Sequence, residues 1–537
     1  MTIDFLIIGA GSAGCVLANR LSEEASSRVL VVEAGRRPPW WDFRVHMPAA
    51  LTWPLNGRTY NWGYQSDPEP RMDGRRVMHP RGKGWGGSSS INGMIFVRGH
   101  PGDFARWAAR PGLEAWRYEH CLPYFRKMET WLGGSSPYRG DSGPLAVSVG
   151  AGDNPLFEAW LQAGQQAGYP YTEDYNGRSQ EGVCRFDMTV HRGRRMSTAR
   201  AYLQPALNRP NLEIRDRTLV ARILFDGTRA VGVETAGGEK IRAGQVILCG
   251  GAFNSPQLLQ LSGVGPADVL RDLGIRTLSN LDGVGRNLQD HLEIYLQQAC
   301  TRPVSLYPAL KPWRQALIGL EWYLFNTGPG ATNHFEAGGF VRSNPDCSYP
   351  NLQFHFLPVA IRYDGTPQKQ HGFQAHVGPM RSDSRGRVVL RSADHREAPS
   401  ILFNYLSTEQ DRREWVEAVE KTREIFAQPA FDAFRGEELS PGPDVRSAEQ
   451  VLDFVRRNAE SAYHPCGTCR MGEDDGAVVD ASLRVRGVEN LAVVDASVFP
   501  EITNGNINAP VIMVAEKAAD IILGREPLPP QAVEDAP

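Results

Sequence analysis

The sequence predicts an α/β fold that begins on a unit of parallel strands, and three observations near the N-terminus predict it. In "DFLIIGAGSAGCVLANRL" an apolar run ends at Ile8, then Gly9, Gly11 and Gly14 follow at G-x-G-x-x-G spacing, and helical periodicity takes over. A second apolar run, "RVLVVEAG", ends at Glu33, 19 residues past Gly14. A further glycine-rich stretch, "HPRGKGWGGSSSINGMIFVRG", spans His79 to Gly99. Strand, tight turn, helix and second strand together make the start of a Rossmann-like unit.

Each of these elements has a physical reason. The three glycines permit the sharp turn, close approach of a pyrophosphate, and tight helix–strand packing. The helix N-terminus favours the phosphate charge. A carboxylate at the spacing of Glu33 accepts from a ribose 2′-hydroxyl and repels a 2′-phosphate, which disfavours NADP. The same turn also exists without a ligand, but here strand, helix and acid are all in place. The stretch from His79 to Gly99 is too rich in Gly and Ser for a regular element, and its backbone can approach a flat ring and offer N–H donors to it. A solvated linker would not carry Trp85, Ile91, Met94, Ile95, Phe96 and Val97.

The rest of the composition bounds the answer. A chain of 537 residues predicts two intimately packed domains. Apolar residues are 41% and charged residues 22%, ordinary for a globular protein. A net charge of −3 does not invite nucleic acid over the whole surface. No apolar run is long enough to span a bilayer. The start, "MTIDFLIIGAGSAG", reads as the first strand and not as a signal peptide, which predicts a cytoplasmic protein. Eight scattered cysteines make no disulfide framework. Twelve tryptophans and 38 prolines suggest a large enzyme with long, stiffened loops.

"SAYHPCGTCRMG", Ser461 to Gly472, has three readings. A zinc site wants about four ligands, usually as two clustered pairs, and no second C-x-x-C pairs with Cys466 and Cys469. A redox dithiol opens a helix in a small βαβ fold, whereas this pair lies between a helical segment ending near Asn458 and a glycine-rich loop. The third reading makes His464 a base, and a base needs a partner. Asn508, just before Pro510, reads by itself as a helix cap.

At this point the sequence resembles the glucose–methanol–choline (GMC) flavin oxidoreductases. Gly82–Gly99 and "GAFNSPQLLQLSGVG" (251–265) look like the two signatures of that family, and "RRMSTARAYL" (194–203) and "GVGRNLQDH" (283–291) are similar to further family segments. The likeness runs from Asp4 to about Gly524. "VSLYPAL" (304–310), "NHFEAGGF" (333–340), "HFLPVAI" (355–361) and "ILFNY" (401–405) are most similar to choline-oxidising members. The resemblance implies a Rossmann-like FAD-binding domain, residues 1–150, 196–300 and 461–524, interwoven with an α+β substrate domain on an antiparallel sheet, residues 151–195 and 301–460. Short β-like runs such as "NLQFHFL" and "GRVVLRS" fit the latter. The tail 525–537 reads as disordered.

The resemblance also implies the chemistry. FAD-dependent oxidation of a primary alcohol to an aldehyde is expected, with choline giving betaine aldehyde and another aliphatic or aromatic primary alcohol as the alternative. His464 is expected as acid–base residue and Asn508 as a second hydrogen-bonding group, with hydride passing to flavin N5. Glu293, Phe335, Tyr463, Trp53 and His355 are expected around the substrate cation. Cofactor contacts are expected from Gly9, Gly11, Ser12, Ala13, Gly14, Glu33, Ala34, Trp62, Arg81, Gly82, Gly86, Gly87, Ser88, Asn92, Gly93, Met94, Ile95, Val220, Ala252, Asp495, Ala496, Asn506 and Asn508. Ile91 stands where some relatives link FAD through a histidine, so non-covalent FAD is expected. No metal and no nucleic acid are expected. The partners implied are an alcohol and an electron acceptor such as a quinone or dioxygen, with a peripheral contact at the inner face of the cell membrane and the oligomeric state both left open.

Overall fold

The computed structural model describes residues 3–362 and 366–532. Two large sheets organise the chain. In the first, Leu212–Arg215, Val29–Val32, Ile3–Ile8 and Lys240–Leu248 lie side by side in parallel. Arg229–Thr235 and Val220–Asp226 extend that sheet antiparallel, and Leu491–Val493 joins Lys240–Leu248 in parallel. Val29–Val32 is buried on both faces, which explains its unbroken apolar run. Helix Ser12–Leu21 makes the first crossover, and helix Asn508–Leu523 packs beside it with nearly every side chain buried. In register, Ile8 pairs both Val32 and Leu248, and Leu248 pairs Val493. Gly9, Glu33, Cys249 and Asp495 therefore arrive at one edge, the carboxyl ends of the parallel strands, where open α/β sheets bind their ligands.

The second sheet runs in the order Arg435–Ser440, Leu292–Cys300, Gly372–Pro379, Leu352–Leu357, Ala337–Val341 and Gly182–Arg185, antiparallel throughout. Helices Pro155–Gln166 and Glu409–Phe426 cover it, with Trp160 stacked on Phe356 at 5.1 Å. The expected strand "NLQFHFL" is Leu352–Leu357, and "GRVVLRS" supplies Gly386–Val389 of a separate three-stranded sheet.

Two expectations are corrected. Leu292–Cys300 belongs to the antiparallel sheet, so the chain changes sheets at Leu292 and not after residue 300. Its alternating burial, with Leu292, Ile294 and Leu296 inside, suits the face of that sheet. The tail expected to be disordered is held over 525–532. Arg525 is ion-paired with Glu24, the Leu528 N–H donates to the Tyr124 hydroxyl at 3.1 Å, and the Gln531 N–H donates to the Glu119 carbonyl at 2.9 Å. Residues 533–537 lie outside the described residues. Among the described residues no helix is long and apolar enough to cross a membrane.

Candidate active site

One cavity of about 1580 Å³ runs from the first glycine turn to the antiparallel sheet. A drug-sized ligand takes about 300–1,000 Å³, so this space is large enough for a large cofactor and a small substrate together.

At the sheet-edge end the lining is backbone. Gly11 precedes helix Ser12–Leu21 without a side-chain cap, so the first-turn N–H groups are left for a ligand. A Cβ on Gly11 would meet nothing closer than 3.8 Å and would project into the cavity. The Glu33 carboxylate accepts from the N–H groups of Gly35 (2.7 Å), Ala10 (2.8 Å) and Gly84 (2.9 Å). Burial raises its pKa above the ordinary carboxylate value while those three donors pull against it. Glu33 therefore ties the strand end, the first turn and the second glycine-rich loop together, and Oε2, with one donor, keeps a free lone pair. The loop itself is held from behind by the buried Arg195, whose Nη1 donates to the Asn92 carbonyl at 2.6 Å and to Asn92 Oδ1 at 2.8 Å.

Every expected cofactor residue lines this cavity except two. Gly14 packs helix on strand: a Cβ there would lie 1.9 Å from the Gly9 carbonyl oxygen. Gly86, at φ +85°, turns the loop and donates its N–H to the Ala10 carbonyl. Uncapped N–H groups, ribose acceptor and glycine cradle all fit a dinucleotide with a flat ring.

At the far end the lining is side chain. Residues 287–293 and 460–467 run antiparallel, through Leu292 with Ser461 and Gln289 with Cys466, but the ladder opens between them. Tyr463 sits there at φ +67°, a left-handed conformation that a bulky residue adopts only under constraint. Its carbonyl accepts from Arg81 Nη2 at 2.7 Å, and its N–H donates to Ser461 Oγ at 2.8 Å. The next N–H, of His464, donates to Asp290 Oδ1 at 2.8 Å. The turn lifts the His464 ring out of the ladder and into the cavity.

The protons on this ring follow from its neighbours. His291 Nε2 lies 2.9 Å from the Met380 carbonyl, which only accepts, so His291 carries its proton on Nε2. Its Nδ1 then accepts, and His464 Nδ1 at 3.0 Å must donate. That leaves the lone pair of His464 on Nε2, where Asn506 Nδ2 donates to it at 3.1 Å. Burial holds His464 well below the ordinary imidazole value, and the nearby Arg81 charge pushes the same way. Burial likewise holds His291 down to about 4. His464 presents a neutral imidazole to the cavity.

This corrects the expected partner. Asn508 is the first residue of its helix, and its Oδ1 accepts from Ser12 Oγ at 2.7 Å. Asn506, two residues earlier in the loop, is the amide on His464. Neither is the helix cap, a position taken by Ile507 without a side-chain bond.

The antiparallel sheet supplies the rest. Tyr295 and His355 both stand opposite His376 in register, and Glu293 shares their face two residues from Tyr295. Glu293 accepts from His376 Nδ1 at 3.1 Å and has His355 Nδ1 at 3.8 Å. Burial alone would raise the Glu293 pKa, but His376 and then His355 outweigh it and hold the carboxyl below its ordinary value. Tyr463 is close enough to feel the Glu293 charge. Phe335 stands edge-on to His376 at 5.7 Å and to His355 at 6.0 Å. Trp53 does not close this cage. It is 57% exposed at the cavity rim, edge-on to Phe43. Sequence reasoning missed His376, His291 as the partner of His464, and Asp290. The signal for His376 was present: a histidine inside the fully buried strand "GFQAHVGP" needs a polar partner.

Cys466 and Cys469 are free, fully buried thiols packed in the apolar core behind His464.

Comparison with known proteins agrees with this geometry. Two family models, both described as GMC oxidoreductase, match residues 3–293 and 382–515. The chain is 57% identical over 535 residues to an oxygen-dependent choline dehydrogenase of Pseudomonas syringae pv. tomato, covering 98% of this chain and 94% of that one. It is 54% identical over 540 residues to an oxygen-dependent choline dehydrogenase of Staphylococcus xylosus, covering 99% and 96%. Among solved structures, pyridoxine 4-oxidase from Mesorbium loti superposes with a TM-score of 0.88 at 34% identity over 98% of this chain and 100% of that one. A formate oxidase superposes with a TM-score of 0.91 at 27% identity over 97% and 98%. The chain belongs to the GMC oxidoreductase family.

Proposed function

We propose that the protein oxidises choline to betaine aldehyde with a non-covalently bound FAD. The observation that carries the substrate is Glu293, a carboxylate at the His464 end of the cavity with Phe335 and Tyr463 beside it. A trimethylammonium has no N–H to donate, so a carboxylate acting through its charge and aromatic faces are the partners it can use. The full-length relatives named for choline support the same reading.

His464 Nε2 takes the hydroxyl proton of the substrate, and Asn506 Nδ2 donates to the oxygen as negative charge develops on it. His291 holds the tautomer that puts the lone pair of His464 on Nε2. Glu293 and the aromatic faces fix the cation, which orients the carbinol carbon. When bound, FAD supplies the acceptor for the hydride that leaves this carbon. Ile91 lines the cavity at the position where some relatives carry a linking histidine and has no nucleophilic atom, which supports a non-covalent flavin.

A second reading, oxidation of another primary alcohol, is favoured by the hydrogen bond that Glu293 already has from His376. Anaerobic mixing with choline, 3,3-dimethylbutan-1-ol and benzyl alcohol, followed at the flavin absorbance, separates the two. Bleaching by choline at the lowest concentration is expected, and faster bleaching by a neutral alcohol rejects the choline reading. We place the enzyme in the cytoplasm, passing electrons to a quinone or to dioxygen, with a peripheral contact at the membrane.

A further inference from the structure

Fourteen large apolar side chains stand exposed on the described residues, and ten of them fall in residues 40–53 and 313–325. Trp40, Trp41 and Trp53 stand on the first segment, and Trp313, Leu317 and Phe325 on the second. The second is helix Pro312–Phe325, apolar over most of its circumference and interrupted by Arg314, Gln315 and Glu321, yet Trp322 is its single buried residue. A helix this apolar is normally enclosed by apolar surroundings, and the rest of this chain does not enclose it. Trp322 pins it from within. That ring packs on Met47 and Ala50, its Nε1 donates to the Gly193 carbonyl at 2.7 Å, and the Arg194 guanidinium lies 5.0 Å over it. Arg194 also donates to the Trp40 carbonyl at 2.9 Å. Residues 36–58, 190–200 and 306–325 thus form one surface.

Its charge is as biased as its apolarity. These three segments hold ten lysines and arginines, of which Arg195 is buried and Arg44 is paired with the buried Asp42, and Glu321 is their only other acid, in a chain whose net charge is −3. Exposed tryptophans, aliphatic side chains and a surplus of cations match the interface of an anionic bilayer, where rings lie at headgroup depth and cations meet lipid phosphates. A second copy of the chain is a poorer occupant, because a two-fold contact would bring two cationic faces together. The helix spans about 21 Å at 1.5 Å per residue, too short to cross a bilayer and suited to lying on one.

We propose that residues 36–58, 190–200 and 306–325 form a docking surface for anionic lipid. This deepens the peripheral membrane contact proposed above and rests on it, but not on the identity of the alcohol. Phe43, Trp53, Leu320 and Tyr323 belong to the surface and also line the cavity, so the cavity opens through the docked face.

The test is flotation of the holoenzyme with vesicles of phosphatidylcholine alone and with 30% phosphatidylglycerol (about one lipid in three) at low and high salt. The wild type should float with the anionic vesicles and lose most of that binding in high salt. Lys311→Glu/Arg314→Glu and Leu317→Glu/Phe325→Glu should each lower the bound fraction at least about tenfold, while flavin content, which reports folding, stays unchanged. If the wild type floats with neither vesicle, or equally with both, the docking proposal is overturned, the first result taking the membrane reading with it. If it floats but the variants float equally, the surface is wrong and the membrane reading stands. A dimer in light scattering that these variants dissociate hands the surface to a second copy. Should a variant not fold, quenching of wild-type tryptophan emission by brominated phosphatidylglycerol decides. Strong quenching is expected, and its absence overturns the proposal.

Discussion

The two ends of the cavity are built from different material. The end at Gly11 is main chain: uncapped N–H groups, glycines such as Gly9 and Gly82 that leave no room for a Cβ, and one carboxylate that ties three loops together. The end at His464 is side chain: four imidazoles, an amide and a carboxylate, with His355, His376 and Glu293 standing on a sheet whose register sets their spacing and His291, His464 and Asn506 reaching in from loops. A main-chain site suits a ligand that never changes, because almost any substitution costs the fold. A side-chain site can change partner while the sheet beneath it stays.

The largest effect should separate two kinds of glycine at the first end. Gly14→Ala puts a Cβ 1.9 Å from the Gly9 carbonyl, and a thermal melt should show destabilisation at or above the upper end of about 1–3 kcal/mol. Gly11→Ala has an ordinary backbone conformation and open space, so its apo-protein should melt near the wild type yet hold little FAD. Equal melts for the two variants break the distinction.

At the other end, His464→Ala should lower kcat by roughly 10²–10⁴-fold with flavin retained. Asn506→Ala should cost on the order of 10²-fold, the loss expected for one donor to a developing oxyanion. Asn508→Ala, which removes only the bond to Ser12, should cost less than Asn506→Ala. A reversed order of the two asparagines in steady-state assays would show that His464 Nε2 works with a different amide.

Glu293→Gln should reduce the preference for choline over 3,3-dimethylbutan-1-ol, which is expected to be on the order of thirtyfold in kcat/KM. The change should fall on KM, because a charge remote from the reacting carbon binds ground and transition states alike. The smallest effect is expected at Cys466→Ser and Cys469→Ser, where most activity should remain. Loss of turnover there with His464→Ala still active would move the chemistry from imidazole to thiol.

The main-chain end was legible because glycine spacing is a local property. A turn, the helix behind it and the acid on the next strand occupy one short stretch, and only Gly14 and Gly86 prove to act through packing and not through the cavity. The side-chain end was legible in part. His464 and Glu293 could be named, but choosing between Asn506 and Asn508 depends on where a helix begins, and that boundary is set by packing. His376 is reached from Glu293 only through the register of Leu292–Cys300 against Gly372–Pro379, a pairing between segments some eighty residues apart. Trp53 could be placed on the cavity but not at its depth, since an aromatic residue in sequence looks the same at a rim as in a pocket. The tail at 525–532 reads as disordered from composition, and three contacts with neighbouring elements hold it.

The eight free thiols give this molecule an internal clock for opening. Six are buried, and burial pushes their pKa values upward, so in the folded state they are shielded from alkylation. Cys300 and Cys347 are partly exposed and should react first. Cys15 and Cys249 flank the first glycine turn, Cys184 lies in the edge strand Gly182–Arg185 of the antiparallel sheet, and Cys466 and Cys469 stand behind His464. The order in which mass spectrometry finds these sulfurs capped under mild denaturant reports which half of the molecule loosens first.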